Sequence, residues 1–238
     1  MPVAVAGGLT GFSMHLLQEE LVPVRERCTS ACDAEINALD ATTIGRYSAS
    51  AHMAGNVLVA SSVALGPLSA VFGAWTSEHP DAWQHALEDT VLVGEVLGVS
   101  VLVHQVTAFA SRRPRSYLFG AAPDELKRDA DAYLSFYSGH TANAFAVASA
   151  SSYLFTRRHP ESPWIVPMWT FTHSLAVLQG TTRVMAGYHY WSDVLIGALV
   201  GSTVGVTIPA LYEHTDTLTL SAIPTRGGAT VSLRWQAP

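Results

Sequence analysis

Three short clusters along the chain carry the side chains that phosphoryl chemistry uses: Arg112-Arg113-Pro114, then Ser138-Gly139-His140, then Arg183 followed by His189 and Asp193. Arginine presents a planar fork of donors that matches phosphate oxygens and keeps its charge at any ordinary pH, so Arg113 and Arg183, with Arg112 alongside, are candidate phosphate anchors. Ser138 and Gly139 place a hydroxyl cap and a bare backbone at a predicted helix start, where unpaired N–H groups and the helix dipole attract anions. His189 and Asp193 are four residues apart and would share a helix face. The carboxylate can then accept from one ring nitrogen and leave the other as a nucleophile. Each cluster alone has an ordinary explanation: a solvated arginine pair at a membrane edge, a helix cap, a structural hydrogen bond. Their joint occurrence in this order, each at a helix boundary, is what points to chemistry.

The elements that must position these clusters are apolar. The 238 residues are 49% hydrophobic and 13% charged, whereas an ordinary soluble domain carries about 25% charged residues. Mean hydropathy is +0.24, and the apolar residues lie in blocks. Residues 54–75 and 194–212 contain no charged side chain, and residues 90–110 contain only Glu95. Residues 141–156 and 164–180 are shorter and also lack Lys, Arg, Asp and Glu. A helix needs about 20 apolar residues to cross a bilayer, so these five read as spans, and the Gly-rich segment 2–17 as a possible sixth. Buried helices of a soluble bundle would need far more charge on their outer faces. The predicted fold is therefore an all-α integral-membrane bundle of about six helices over residues 1–212. Residues 213–238 follow as a short extramembrane tail, in which alternation around Gly227 and Gly228 resembles a β-hairpin.

Charge and cysteine content exclude other classes. With a net charge of −6 and one lysine, a nucleic-acid partner has no electrostatic support. Cys28 and Cys32 read first as structural or free thiols; a disulfide in an extracytoplasmic loop and a metal clamp without a third ligand are the alternatives. None of the ten histidines shows metal-ligand spacing, so neither a metal nor a cofactor is expected. Glu95, His104, Gln105 and His173 fall inside predicted spans, where polar groups face the bundle interior and helix-to-helix hydrogen bonds account for them.

The motifs resemble those of the type 2 phosphatidic-acid phosphatase superfamily, which also includes vanadium haloperoxidases and bacterial acid phosphatases. That pattern runs Lys, six residues, Arg-Pro; then Pro-Ser-Gly-His; then Ser-Arg, five residues, His, three residues, Asp. Here it survives as Arg113-Pro114, as Tyr137-Ser138-Gly139-His140, and as Thr182-Arg183 with His189 and Asp193 at every spacing. The resemblance implies that His189 attacks phosphorus, Asp193 orients it, and His140 protonates the leaving oxygen and later activates water. Arg113, Arg183, Ser138 and the Gly139 amide would hold the phosphoryl oxygens. It further implies metal-independent hydrolysis of a lipid or isoprenoid phosphate through a phosphohistidine, with membrane lipids as surroundings. The site would lie on the extracytoplasmic side of a bacterial inner membrane.

Val106 stands where the pattern has lysine, Tyr137 replaces proline and Thr182 replaces serine. Only the first removes a charge, and Arg112 is the residue placed to compensate. The alternatives are a lipid phosphotransferase, a haloperoxidase-like enzyme using the same cradle for vanadate, and a non-catalytic lipid-binding member of the family. The hydrophobic blocks count against the second. The retained histidines count against the third, since binding alone needs neither a nucleophile nor a proton donor.

Overall fold

The computed structural model describes residues 36–213, 218–225 and 228–235. The 2–17 segment and the Cys28 and Cys32 pair lie outside them. A short helix, α1 (Ala38–Ala41), carries the buried Asp40. Two long helices follow: α2 (Ala49–Thr76), capped by Ser48 Oγ accepting from the Ala51 amide at 3.2 Å, and α3 (Ala82–Ser111), which ends on Arg112 at φ 47°. A mostly irregular stretch then holds 3-10 turns at Ser116–Phe119 and Ala130–Tyr133 and the short α4 (Asp124–Arg128). Three more long helices complete the bundle: α5 (Gly139–Arg158), α6 (Ile165–Met185) and α7 (Trp191–Glu213). Strands β1 (Leu218–Thr225) and β2 (Gly228–Trp235) pair antiparallel, with Leu218 opposite Trp235 and Ala222 opposite Val231.

Helix α5 is the central post, packed against α2, α3, α6 and α7. Its Ala142, Ala144, Ala146, Val147 and Ala150 are fully buried. The approach of α7 is set by Gly197, Gly201 and Gly205, four residues apart: a Cβ at Gly201 would lie 2.2 Å from the Ala142 carbonyl oxygen, and one at Gly205 2.5 Å from that of Ala146. Small residues at this spacing let helix backbones pack closely without the driving force that water supplies.

The helix count corrects the sequence-based expectation. Among the described residues there are seven α-helices, and three segments are long and apolar enough to cross a membrane: Ala49–Thr76, Ala82–Phe119 and Trp191–Tyr212. An all-α bundle of about six spanning helices therefore does not stand. The reason is that freedom from charge is not the same as apolarity. Residues 141–156 lack charge but are rich in Ala, Ser and Thr, and residues 164–180 mix apolar side chains with Thr170, Thr172, His173, Ser174 and Gln179. Helix α5 in particular turns nearly all of its surface to other helices. The outward faces of α2 and α7 instead expose Met53, Val57, Leu68, Leu195 and Leu199, as lipid contact demands.

The 112–138 stretch folds over one end of the bundle around Tyr117, Tyr133, Leu134 and Tyr188. It is tied to the α6–α7 turn where the Tyr117 amide donates to the Gly187 carbonyl at 2.9 Å. Gly187 itself has φ +78°, and a Cβ there would fall 1.8 Å from the Arg46 carbonyl oxygen, so this turn requires glycine. At the far end, Arg158 on α5 pairs with Glu88 and Asp89 on α3, both at 3.1 Å.

Candidate active site

His189 sits between the Gly187 turn and the start of α7, only 1% exposed. Its Nδ1 lies 2.8 Å from the Ser135 carbonyl oxygen, which must receive a proton, so the Nδ1–H tautomer is held and Nε2 keeps its lone pair. Facing Nε2 at 3.1 Å is Nη1 of Arg115. Burial, then the charges of Arg115 and Arg183, hold the imidazole well below its ordinary 6.5, against the hydrogen bond to Ser135. The ring is therefore neutral and nucleophilic at neutral pH.

Asp193 occupies the first turn of α7, where one oxygen accepts from the Tyr190 amide at 3.0 Å, as a carboxylate does in a capping box. The same oxygen accepts from Ser135 Oγ at 2.6 Å and stands 3.7 Å from His189 Nδ1. That last separation is beyond hydrogen-bond reach. The acceptor that orients His189 is thus the Ser135 carbonyl, while Asp193 fixes the segment that presents it.

Asp193 also receives Arg113, whose Nη1 donates to its other oxygen at 2.5 Å and to Ser192 Oγ at 2.8 Å. Arg113 Nη2 pairs with Asp40 at 2.8 Å, and the guanidinium lies 4.1 Å over the Tyr190 ring. Burial would raise the Asp40 carboxyl, but hydrogen bonds from Ser192 and Arg113 outweigh it and hold the group below the usual range. Arg113 therefore belongs to a buried framework that joins α1 to α7.

Arg115, two residues on, stands beside His189 where Arg113 is expected. It is 6% exposed, donates from Nε to the Asp131 carbonyl at 2.8 Å and from Nη1 to that of Tyr188 at 3.0 Å, and pairs through Nη2 with the Asp131 carboxylate at 2.7 Å. Burial would raise Asp131, and Arg115 more than reverses this. The sequence held only a weak signal for Arg115: neither arginine has the motif's lysine seven residues earlier, and Arg113 alone is followed by proline. Counting back by that spacing from Arg115 reaches Ala108, fully buried on α3, whereas Val106 is exposed on the outer face of the helix. Arg112 turns back onto α3, its Nε donating to the Phe109 carbonyl at 3.3 Å.

Arg183, 2% exposed at the end of α6, lies 4.6 Å over the Tyr188 ring, which Arg115 approaches at 5.2 Å. Its Nη1 is 3.1 Å from His52 Nδ1, and its buried Nε has no protein partner. His140, in the first turn of α5, places Nε2 3.2 Å from Asn56 Oδ1. Ser138 is the N-cap of α5, its Oγ accepting from the Thr141 amide at 3.4 Å and from Thr141 Oγ1 at 2.8 Å. Gly139 makes room for the His104 ring, which a Cβ would meet at 2.6 Å. The structure thus gathers His140, Arg183, His189 and Asp193 at one end of the bundle and adds Arg115, Ser135, His52 and Asn56. No motif marks His52 and Asn56, because apart from each other the side chains they bond lie more than 80 residues away. Of the polar groups inside the helices, Glu95 accepts from Tyr212 OH at 2.6 Å and His173 bonds to Ser149 at 3.2 Å, both joining helices.

A buried imidazole with a fixed tautomer, one guanidinium at its lone pair, and a second guanidinium and a second imidazole at the same end form a cationic cluster on a membrane-embedded helical bundle. The profile of the PAP2 superfamily matches residues 89–215, and the chain belongs to that superfamily. The fold agrees with a transmembrane PAP2-type phosphatidylglycerolphosphate phosphatase from Bacillus subtilis, with a TM-score of 0.52 and 19% identity over 87% of this chain and 97% of that one. Among curated proteins, the lipid A 1-phosphatase of Porphyromonas gingivalis is 35% identical over 115 residues, which is 48% of this chain and 22% of that protein. Phospholipid phosphatase 1 of Rattus norvegicus is 35% identical over 78 residues, 32% of this chain and 28% of that one. This chain is an integral membrane protein, and its matched stretches span about a quarter of those two relatives.

Proposed function

We propose that the chain is a lipid phosphatase that hydrolyses a lipid or isoprenoid phosphate, a monoester or a pyrophosphate, through a phosphohistidine on His189. The observation that carries this reading is the lone pair of His189 Nε2, fixed by the Ser135 carbonyl and set against Arg115. An incoming phosphoryl oxygen takes over that Arg115 donor and meets the unpartnered Nε of Arg183, so charge developing on phosphorus is met by groups already in place. His189 Nε2 forms the bond to phosphorus as the ester P–O bond breaks, and His140 gives its proton to the leaving oxygen. Water then attacks phosphorus and passes a proton to His140, the P–N bond breaks, and phosphate leaves. Two buried arginines supply the positive charge that a metal ion provides in other phosphatases, which is the basis for proposing that no metal is needed.

The relatives named above act, by their names, on lipid A, phospholipid and phosphatidylglycerolphosphate, which supports a lipid substrate here. We further place the site on the extracytoplasmic side of a bacterial inner membrane on the strength of the family resemblance alone, because Arg157 and Arg158 end α5 at one pole while Arg112, Arg113, Arg115 and Arg183 lie at the other. The test is phosphate release by detergent-purified protein from a panel of lipid phosphates in EDTA. Release that persists in EDTA and vanishes in His189→Ala is the expected result, together with an acid-labile, base-stable phosphoenzyme in the wild type. Turnover in His189→Ala would sink the proposal.

A further inference from the structure

All three motifs lie within residues 89–215, yet the site has a further wall from α2, which precedes that stretch. His52 and Asn56 are four apart on α2 and share a face. The His52 ring stacks on Tyr188 with centroids 4.2 Å apart, and the same Tyr188 ring is approached by Arg183 at 4.6 Å and Arg115 at 5.2 Å. His52 thus joins both guanidiniums of the site around one aromatic ring. Gly55 brings α2 close enough, since a Cβ there would crowd Thr182 Oγ1 at 3.0 Å and Arg183 Cδ at 3.2 Å. Asn56 is exposed and His52 half-buried, so this wall borders the open side of the site.

Counting donors shows a shortage of acceptors on this wall. Arginine only donates, a neutral imidazole has one donor and one acceptor nitrogen, and an amide has one donor end and one acceptor end. Asn56 Oδ1 faces His140 Nε2 at 3.2 Å and Arg183 Nη1 at 3.4 Å, and Asn56 Nδ2 donates to His52 Nε2 at 3.1 Å. The His52 proton then sits on Nδ1, 3.1 Å from Arg183 Nη1, so two N–H groups meet. Turning the amide or moving the ring proton only transfers the conflict to another pair of donors, and protonating the ring deepens it. Beside them, the buried Nε of Arg183 has no protein partner either. Adjacent donors short of an acceptor are what an oxyanion satisfies.

We propose that His52, held by Asn56 and stacked on Tyr188, is a further phosphoryl contact, its Nδ1–H sharing one oxygen of the phosphate group with the Arg183 guanidinium. This rests on the reading of the site as one that binds a phosphoryl group. It assigns substrate binding to α2, outside the three motifs, and supplies a donor where the first motif has lost its lysine and Arg112 turns back onto α3. The N–H that opposes Arg183 in the empty protein is satisfied when the oxyanion binds. Removing it therefore weakens binding without weakening the empty fold.

Two variants and one control test it on the full-length protein in detergent, with inorganic phosphate as the probe, read by calorimetric titration and by the rise in melting temperature that phosphate produces. His52→Phe keeps a ring on Tyr188 and removes the N–H. Its phosphate affinity falls about tenfold or more, while the phosphate-free protein melts at the wild-type temperature or above it. His52→Asn keeps an N–H near the place of Nδ1 and drops the ring, and its affinity stays within about threefold of wild type. The Asn variant decides the matter if the Phe variant yields no protein. Wild-type affinity in His52→Phe overturns the proposal, as does an affinity in His52→Asn about tenfold weaker than wild type. A phosphate-free melting temperature of His52→Phe below the wild type also overturns it, since the imidazole would then be a structural bond of α2. Arg183→Ala separates the levels: if it binds phosphate as the wild type does, the reading of the site itself fails; if it loses binding while His52→Phe is normal, only this inference fails.

Discussion

Replacing Arg115 by lysine keeps the charge and removes the fork. In the native site one guanidinium spans the Asp131 carbonyl and carboxylate at 2.8 and 2.7 Å, the Tyr188 carbonyl at 3.0 Å and His189 Nε2 at 3.1 Å. An ammonium can keep the ion pair with Asp131 but cannot also reach His189, so the donor that meets the phosphoryl oxygen is lost. Losing one preorganised donor of this kind costs about 10²–10³ in kcat, or roughly 3–4 kcal/mol of transition-state stabilisation. The Asp131 and Tyr188 carbonyls each keep a second donor, the Leu134 amide at 3.0 Å and Ser135 Oγ at 3.3 Å, so the loss of stability stays at ~1 kcal/mol. Arg113→Lys is the matched comparison, because that guanidinium serves Asp40, Asp193 and Ser192 rather than the nucleophile. Its kcat should fall by less than about tenfold while its melting temperature drops more, as a buried ion-pair framework loses contacts. Phosphate release at saturating substrate and thermal unfolding in detergent measure the two effects. The reverse order, with Arg113→Lys inactive and Arg115→Lys nearly normal, would refute the assignment of Arg115 to the phosphoryl group.

The pH profile follows from the depressed His189. Its imidazole is neutral in the folded protein well below the ordinary 6.5, so the acid limb of kcat/KM attributable to the nucleophile should lie below 6.5; a limb at or above that value contradicts the buried, arginine-flanked geometry. The same depression makes the unfolded chain bind the extra proton first, so this contribution to stability is complete above 6.5 and declines as pH falls below it, which melting curves at several pH values will show. Asp40→Ala leaves Ser192 without its carboxylate and Arg113 with Asp193 alone, and unfolding in detergent should occur with about 1–3 kcal/mol less resistance; an unchanged melting temperature would remove Asp40 from the framework. Gly201→Val drives a side chain into the Ala142 carbonyl and should abolish folded protein, whereas Gly94→Ala, with nothing within 4 Å of its Cβ, should be tolerated or gain up to about 1 kcal/mol; equal yields of the two proteins by size-exclusion chromatography would contradict the α5–α7 contact.

What the sequence by itself determined is local. The spacing of Ser138 to His140 places them at a helix start, because a cap depends only on the residues beside it, whereas the expected helical pairing of His189 with Asp193 does not form, since His189 lies ahead of α7 and bonds the Ser135 carbonyl. Charge-free blocks mark where helices run, and the glycines of α7 mark a face that packs closely. Tertiary structure decided everything that depends on who faces whom. It chose Arg115 over Arg113 for the nucleophile, because the 112–138 stretch is folded by its bonds to the Gly187 turn and not by its own periodicity. It gave the orienting of His189 to the Ser135 carbonyl, a backbone group that no side-chain motif records. It also buried α5, so that the charge-free residues 141–156 contact protein instead of lipid, and it brought His52 and Asn56 to His140 and Arg183 across more than 80 residues of chain. Local sequence encodes caps and faces; which of those faces meet is set by the packing of the whole bundle.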